Sequence, residues 1–239
     1  MAEQISDPNL KSAMVVVAHA DDAEFGCSGT VAQLIRRGWE VTYVLCTDGS
    51  KGSDDLTMTQ EKLSAIRHTE QVAAAKILGL KTVEFLNYPD SFLEPSLDLR
   101  RDVARMIRKH KPDVLICNSP TRDLDNSTYI GHPDHMAAAE AALSAVYPTA
   151  RDRLTYPDLL EEGYEPHKVA EVWLMYGGDA ANHVVELEEQ DLVKSISALK
   201  AHSSQVEEEV GDGMREWKTR NGQSHGVGPA ETYKLFKLN

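Results

Sequence analysis

The chain has 239 residues, enough for one generous α/β domain with a sizeable core, and nothing in residues 1–239 forces a second domain. Its 25 Lys and Arg against 38 Asp and Glu give a net charge of -13, which argues against nucleic acid or an anionic membrane surface as the main partner and favours a small, neutral or weakly charged molecule. No stretch approaches the roughly 20 apolar residues of a membrane span, MAEQISDPNLKSA carries no secretory signature, and Cys27, Cys46 and Cys117 lack disulfide or C-x-x-C spacing, so a cytoplasmic protein without membrane insertion is expected.

The first predicted strand, Met14 to Ala18, is apolar throughout, as suits a parallel strand covered on both faces. It runs directly into His19, Asp21, Asp22 and Glu24, at the carboxyl end of a strand, where open α/β sheets bind ligands. A dinucleotide fold would place glycines there, whereas carboxylates repel a phosphate and attract a cation. Imidazole nitrogen and carboxylate oxygen together suit zinc and similar metals, so His19 and one neighbouring aspartate are candidate ligands, leaving the other to handle protons. Taken alone, Asp21 or Asp22 could equally be a helix N-cap, but a cap does not account for four polar groups in six positions.

Ser28 to Arg37 has helical spacing and stops at Gly38, and Val41 to Cys46 reads as the second strand. Thr47 to Asp55 is a Gly/Ser/Asp segment expected as a loop beside the site. Thr59 to Leu78 is a predicted helix ended by Gly79; on it, Arg67 and Glu70 are either an exposed ion pair or a place where Arg67 reaches the pocket. Val83 to Leu86 is a third strand, followed by Asp90, which is either a turn residue or a further site acid. Leu97 to Lys109 is helical up to the break at Pro112, and Asp113 to Cys117 forms a fourth buried strand. Such alternation predicts a Rossmann-like α/β fold, a mostly parallel sheet with helices on both faces.

The polar loop 118–131 leads to Gly131-His132-Pro133-Asp134-His135 and an alanine-rich helix, with proline at home in the first turn. His132 and His135 therefore sit together at a helix start, able to point toward one place. Val169 to Tyr176 could extend the sheet, Gln190 to Ala201 reads as an amphipathic helix, and Val210 to Pro229, rich in Gly and polar residues, reads as a surface lid or oligomer-contact loop.

The pair HADDAE after the first strand and GHPDH at the later helix start resembles the LmbE-like family of zinc N-deacetylases, and CTDGSKG, LNYPD and AHSSQ add weaker similarities. The resemblance implies a zinc-dependent hydrolase that removes an N-acetyl group from an N-acetylglucosamine-type sugar. It implies His19, Asp22 and His135 as ligands of one Zn2+ per chain and Asp21 as the base. His132 would stabilise the oxyanion with Asp134 holding its imidazole, although Asp134 could also be a first-turn acid favoured by the helix dipole. Arg67 and Asp90 would contact sugar hydroxyls, and a homo-oligomer, trimer or hexamer, would be the assembly. The usual AHPDD reads AHADD here, so Ala20 replaces a rigid proline, and Cys27 is close enough in sequence to be weighed as a ligand against a small buried residue. Glu24 reads as a support behind the ligands and His202 as a helix-end histidine. An amidase of another small N-acyl conjugate, a metallophosphoesterase and a non-catalytic metal-binding module are the alternatives.

Overall fold

The computed structural model describes residues 9–123, 128–176 and 181–238. Strands β1 (Ser12–Val17), β2 (Glu40–Thr47), β3 (Thr82–Tyr88), β4 (Val114–Cys117), β5 (Glu171–Met175), β6 (His183–Glu186) and β7 (Ala230–Lys237) form one sheet in the order β3-β2-β1-β4-β5-β7-β6. β7 alone runs antiparallel to its neighbours β5 and β6. The helices are α1 (Asp22–Gly26), α2 (Ser28–Arg36), α3 (Gln60–Leu78), α4 (Leu97–His110), α5 (Pro133–Ser144), α6 (Asp158–Glu161), α7 (Glu189–Leu199) and α8 (Val210–Ser224).

The alternation of side chains along β1 sorts the core into two layers. Ala13, Val15 and Val17 face α2, α3 and α7 through Val31, Leu34, Ala74, Leu78, Leu192 and Ala198. Met14, Val16 and Ala18 face α4 and α5 through Leu99, Val103, Ile107, Ala138 and Ala142. Both faces of β1 are thus buried, which is why its sequence is apolar at every position after Ser12. Local signals set the helix ends: the Thr59 and Ser96 side chains accept hydrogen bonds from Lys62 N and Leu99 N, and Gly79 closes α3 at φ 84°.

The chain leaves β1 toward β2 and β3 on one side, then returns to place β4 on the other. The switch point therefore lies between β1 and β4, and their carboxyl ends open the crevice in which such sheets bind ligands. The predicted helices and strands before residue 118 are all present, with ends shifted by a few residues.

The segment 210–229 corrects the expectation of a surface loop, because most of it is α8. Gly211 and Gly222 mark close approach rather than a turn. A Cβ at Gly222 would lie 1.5 Å from Gly228 O, and one at Gly211 would meet the Ile196 side chain at 2.9 Å. α8 also buries Lys218, whose Nζ lies 2.8 Å from Glu231 Oε1 and donates to Phe25 O at 2.6 Å. Glu231 in turn accepts from Gly29 N and Thr30 N at the start of α2, so this pair ties α8 and β7 to the helices behind the crevice. Among the described residues, no helix is long and apolar enough to cross a membrane.

Removing one partner of a buried ion pair leaves the other charge uncompensated. Lys218→Met is expected to destabilise the fold by about 3–5 kcal/mol, and Lys218→Met with Glu231→Leu to recover most of that, both read from urea denaturation midpoints.

Candidate active site

Side chains from four connections meet at the carboxyl edge of the sheet: 18–22 after β1, 47–51 after β2, 89–93 after β3, and 132–135 at the start of α5. The turn after β1 is made by Asp22, whose Oδ2 accepts from Ala18 N at 3.1 Å and His19 N at 2.8 Å. This leaves Oδ1 directed at His135 Nε2, 3.0 Å away. His19 Nδ1 lies 3.2 Å from the same His135 nitrogen and 3.6 Å from Asp22 Oδ2. Tetrahedral ligands about 2.0–2.1 Å from a shared zinc are about 3.3 Å from one another. His19 Nδ1, His135 Nε2 and the Asp22 carboxylate thus stand 3.0–3.6 Å apart, Asp22 meeting His135 through Oδ1 and His19 through Oδ2, a mixed nitrogen and oxygen donor set of the kind a borderline divalent metal takes.

The other face of His19 is held by acids. Its Nε2 lies 3.1 Å from Asp90 Oδ1 and 3.2 Å from Asp134 Oδ2. With the proton on Nε2, Nδ1 is left as a lone pair, the arrangement in which a carboxylate orients a metal-binding imidazole. These acids are themselves fixed by backbone amides: Asp134 accepts from Ser91 N at 2.7 Å and Leu93 N at 3.3 Å, and Asp90 from Lys51 N at 3.0 Å. Among the described residues, His132 stands in both groups whose donor atoms lie within 4.8 Å of one another, one with His19 and His135 and one with His19, Asp90 and Asp134; Asp22, whose Oδ2 is taken by two backbone N–H groups, is in neither.

The charge balance follows. Burial works against protonation of His19, but Asp134, Asp22 and Asp90 outweigh it and push the ring up to about 12. Burial likewise opposes ionisation of Asp90, yet the His19 contacts bring its carboxyl down to about 2. For Asp22, burial is again overcome by His135 and His19, and the carboxyl is held well below its usual range. The cluster stabilises positive charge at its centre.

Asp21 differs from its neighbours. Burial and the adjacent Asp22 charge push it up to about 7, against the pull of Arg67. Its carboxylate is the one in the turn with a raised rather than lowered pKa, and its Oδ2 lies 3.6 Å from Arg67 Nη2. Its backbone is left-handed at φ 85°, costly for a residue other than glycine, and its N–H donates to Gln71 Oε1 at 3.3 Å. Gln71 Nε2 donates to Glu24 Oε1 at 3.0 Å, and His202 Nε2 lies 3.4 Å from Glu24 Oε2, with Glu24 and His202 fully buried. His202, three residues past the end of α7, therefore lies beside Glu24 behind Asp21, but neither of its ring nitrogens makes a hydrogen bond there.

His132 caps α5: its Nδ1 accepts from Asp134 N at 3.1 Å, which assigns the proton to Nε2. The expected orienting contact from the Asp134 carboxylate is therefore made by the Asp134 backbone, for the carboxylate is 3.9 Å from His132 Nδ1 and spent on His19 instead. Burial and the His19 charge lower the His132 pKa. Arg67 is not an exposed partner of Glu70. Both are buried; Arg67 donates to Ala20 O at 2.8 Å and Lys51 O at 3.1 Å, while Glu70 accepts from Ser203 Oγ and Ser204 N. Arg67 Nη1 is 3.8 Å from Asp90 Oδ2, so these two do border the same space. Cys27 is buried in the core layer with Val31 and belongs to none of the metal-capable groups among the described residues.

Residues 14–146, more than half of the chain, match the PIG-L family, described as GlcNAc-PI de-N-acetylase. The chain belongs to that family. It is 30% identical over 209 residues to the diacetylchitobiose deacetylase of Thermococcus kodakarensis, covering 87% of this chain and 75% of that one. It is 28% identical to a probable N-acetyl-alpha-D-glucosaminyl L-malate deacetylase of Bacillus anthracis, with 88% of each chain covered. Among solved structures, an N,N'-diacetylchitobiose deacetylase from Pyrococcus horikoshii in complex with an inhibitor superposes with a TM-score of 0.85 at 27% identity, over 96% of this chain and 85% of that one. A 4-carboxy-2-hydroxymuconate hydratase from Pseudomonas putida, at 21% identity and a TM-score of 0.78 over 96% and 98% of the chains, shares the fold.

Within this PIG-L chain the residues that sequence reasoning missed are supports rather than ligands: Gln71 and the amides of Ser91 and Leu93. Gln71 lies on the same helix as Arg67, one turn on, and that spacing was the available signal. Gln71→Leu leaves Asp21 N–H and Glu24 Oε1 without their partner. It is expected to destabilise the protein by about 1–3 kcal/mol, seen as a lower urea midpoint at unchanged slope.

Proposed function

We propose that this PIG-L member is a metal-dependent N-deacetylase that hydrolyses the N-acetyl group of an N-acetylglucosamine-type sugar or conjugate, with one Zn2+ per chain held by His19, Asp22 and His135. The observation that carries the reading is a three-residue donor set beside one half-buried acid, Asp21, whose pKa is raised into the neutral range. The names of relatives agree in reaction and in sugar. When bound, a zinc-type ion supplies Lewis acidity and brings the pKa of a water toward about 7.

The chain's own groups then divide the remaining work. Asp21 takes the proton of the attacking water and returns it to the departing sugar amine, so amine and acid must face each other. His132, protonated on Nε2, donates to the carbonyl oxygen as negative charge builds on it. Asp134 and Asp90 keep His19 in the tautomer that presents Nδ1. Arg67 and Asp90, which border the same pocket as Lys51 and Gln205, receive the sugar hydroxyls. The surplus of carboxylates in that pocket favours a neutral amide over an anionic ester. Assembly as a trimer or hexamer belongs to the same reading and is checked by light scattering.

Asp21→Asn is expected to bind zinc at one ion per chain by elemental analysis and calorimetry, yet to lose about 10²–10⁴ in kcat on N-acetylglucosamine or diacetylchitobiose. Turnover at the wild-type rate removes Asp21 from the base role. His135→Ala is expected to lose zinc binding together with activity. Treatment of the wild type with a chelator should abolish amine release and added zinc restore it; activity that survives complete metal removal overturns the proposal.

A further inference from the structure

Two clefts meet at the candidate metal ligands. One, of about 380 Å3, holds Asp21, Lys51, Arg67, Asp90 and Gln205. The other, also about 380 Å3, lies beyond Asp22 and His135 and is walled by Phe25, Gly26, Met175, Tyr176 and Trp217. Asp22, Phe25, Tyr129 and His135 border both.

The second cleft differs in chemistry from the first. Its charged residues are spent on one another: Lys218 Nζ is held by Glu231 Oε1, Phe25 O and Gly26 O. Thr232 Oγ1 donates to Tyr176 O at 2.7 Å. What faces the space is mostly aromatic and thioether surface, with the neutral amides of Asn118 and Asn221. The Met175 side chain lies directly on the Cα of Gly26, since a Cβ there would be 2.2 Å from Met175 Sδ. Phe25 and Trp217 remain 37% and 39% exposed, more than a core role would leave them.

The linings fix which half of the substrate goes where. Arg67 and Asp90, the sugar-hydroxyl contacts of the reading above, line the first cleft and not the second, so the sugar lies in the first. The acyl substituent, on the far side of the broken C–N bond, is directed past Asp22 and His135 into the apolar cleft. A methyl group is about the size of a water molecule, roughly 30 Å3 in the liquid, and fills a small fraction of this space.

We infer that the cleft walled by Phe25, Met175, Tyr176 and Trp217 is an acyl subsite, and that the enzyme hydrolyses N-acyl amino sugars whose linear acyl chain is longer than acetyl. This rests on the N-deacetylase reading above. The reaction is the same hydrolysis: water adds its hydroxyl to the acyl carbon, the C–N bond breaks, and the products are a free carboxylate and the protonated amine.

The test is a series of N-acetyl, N-butanoyl, N-hexanoyl and N-octanoyl glucosamine assayed by amine release with zinc-loaded protein. Each buried methylene contributes about a threefold to fourfold gain, so kcat/KM is expected to rise at least about tenfold from acetyl to hexanoyl, carried by KM. Trp217→Ala and, separately, Met175→Gln are expected to flatten that rise while leaving N-acetylglucosamine turnover within about twofold. Calorimetry with hexanoate and acetate gives a readout without turnover: hexanoate binds more tightly to the wild type, and the difference disappears in Trp217→Ala. If N-acetylglucosamine is cleaved, rates fall steadily with chain length and hexanoate binds no better than acetate, the subsite is wrong and the deacetylase reading stands. If diacetylchitobiose is preferred over N-acetylglucosamine and Trp217→Ala removes that preference alone, the cleft takes a second sugar and the inference is overturned. If no N-acyl sugar in the series is cleaved, the deacetylase reading falls and the inference with it, whatever hexanoate does.

Discussion

The carboxylate of Asp22 does two jobs that cannot be separated. One oxygen accepts the N–H groups of Ala18 and His19, closing the turn that ends β1; the other faces His135 across the switch point of the sheet. A carboxylate this buried is costly unless its lone pairs are met, and here they are met by the chain segment that positions the next ligand. The strand end, the turn and the start of α5 are thereby held as one object. Anything that moved β4 and α5 away from β1 would open the donor set and strand a buried charge together. Geometry at the site and stability of the parallel sheet are coupled through this one residue.

His19 shows how the rest of the pocket is organised around that object. Its two nitrogens look in opposite directions, Nδ1 toward Asp22 and His135 and Nε2 toward Asp90 and Asp134. The second pair would be a liability in isolation, since two acids at one imidazole repel each other. They are tolerable because the connection after β3 donates the Ser91 and Leu93 N–H groups to Asp134 and the Ser91 hydroxyl to Asp90, while Lys51 N–H after β2 donates to Asp90 as well. The connection after β3, which contributes no metal donor to the set of His19, Asp22 and His135, therefore sets the protonation state of one. This division explains why Asp134, within two residues of both His132 and His135, serves a third histidine that follows β1.

Much of this was legible in the sequence, for stated reasons. The apolar run before His19 and the Ala-rich helix after His132 forced both histidine motifs to opposite sides of one switch point, so convergence followed from topology. What could not be read was which oxygen or nitrogen faces which partner. Asp134 beside His132 looks like an orienting pair on paper, and only the cap geometry, with Asp134 N–H already on His132 Nδ1, releases the carboxylate for His19. Arg67 and Glu70 look like a helix-surface pair because their helix has little amphipathic contrast; their burial comes from loops packed over α3, which no periodicity reports. α8 was misread because glycine is a turn signal locally and a close-packing signal in tertiary context, and Gly211 and Gly222 are the latter.

The replacement of proline by Ala20 raises a physical question about rigidity, and the structure answers it with hydrogen bonds. Proline would fix one φ angle of the turn. Instead, Arg67 Nη2 holds Ala20 O at 2.8 Å, Gln71 Oε1 holds Asp21 N, and Asp22 Oδ2 holds Ala18 N and His19 N. The restraints act on consecutive residues of the turn, and Ala20 itself is buried, so the left-handed conformation of Asp21 is over-determined from α3 rather than from within the turn. That arrangement makes α3 part of the turn's framework in a way a proline turn would not require: Arg67 and Gln71 hold Ala20 and Asp21, while β1 and the start of α5 hold His19, Asp22 and His135. A hydratase shares this fold at a TM-score of 0.78. The sheet alone therefore does not select the reaction.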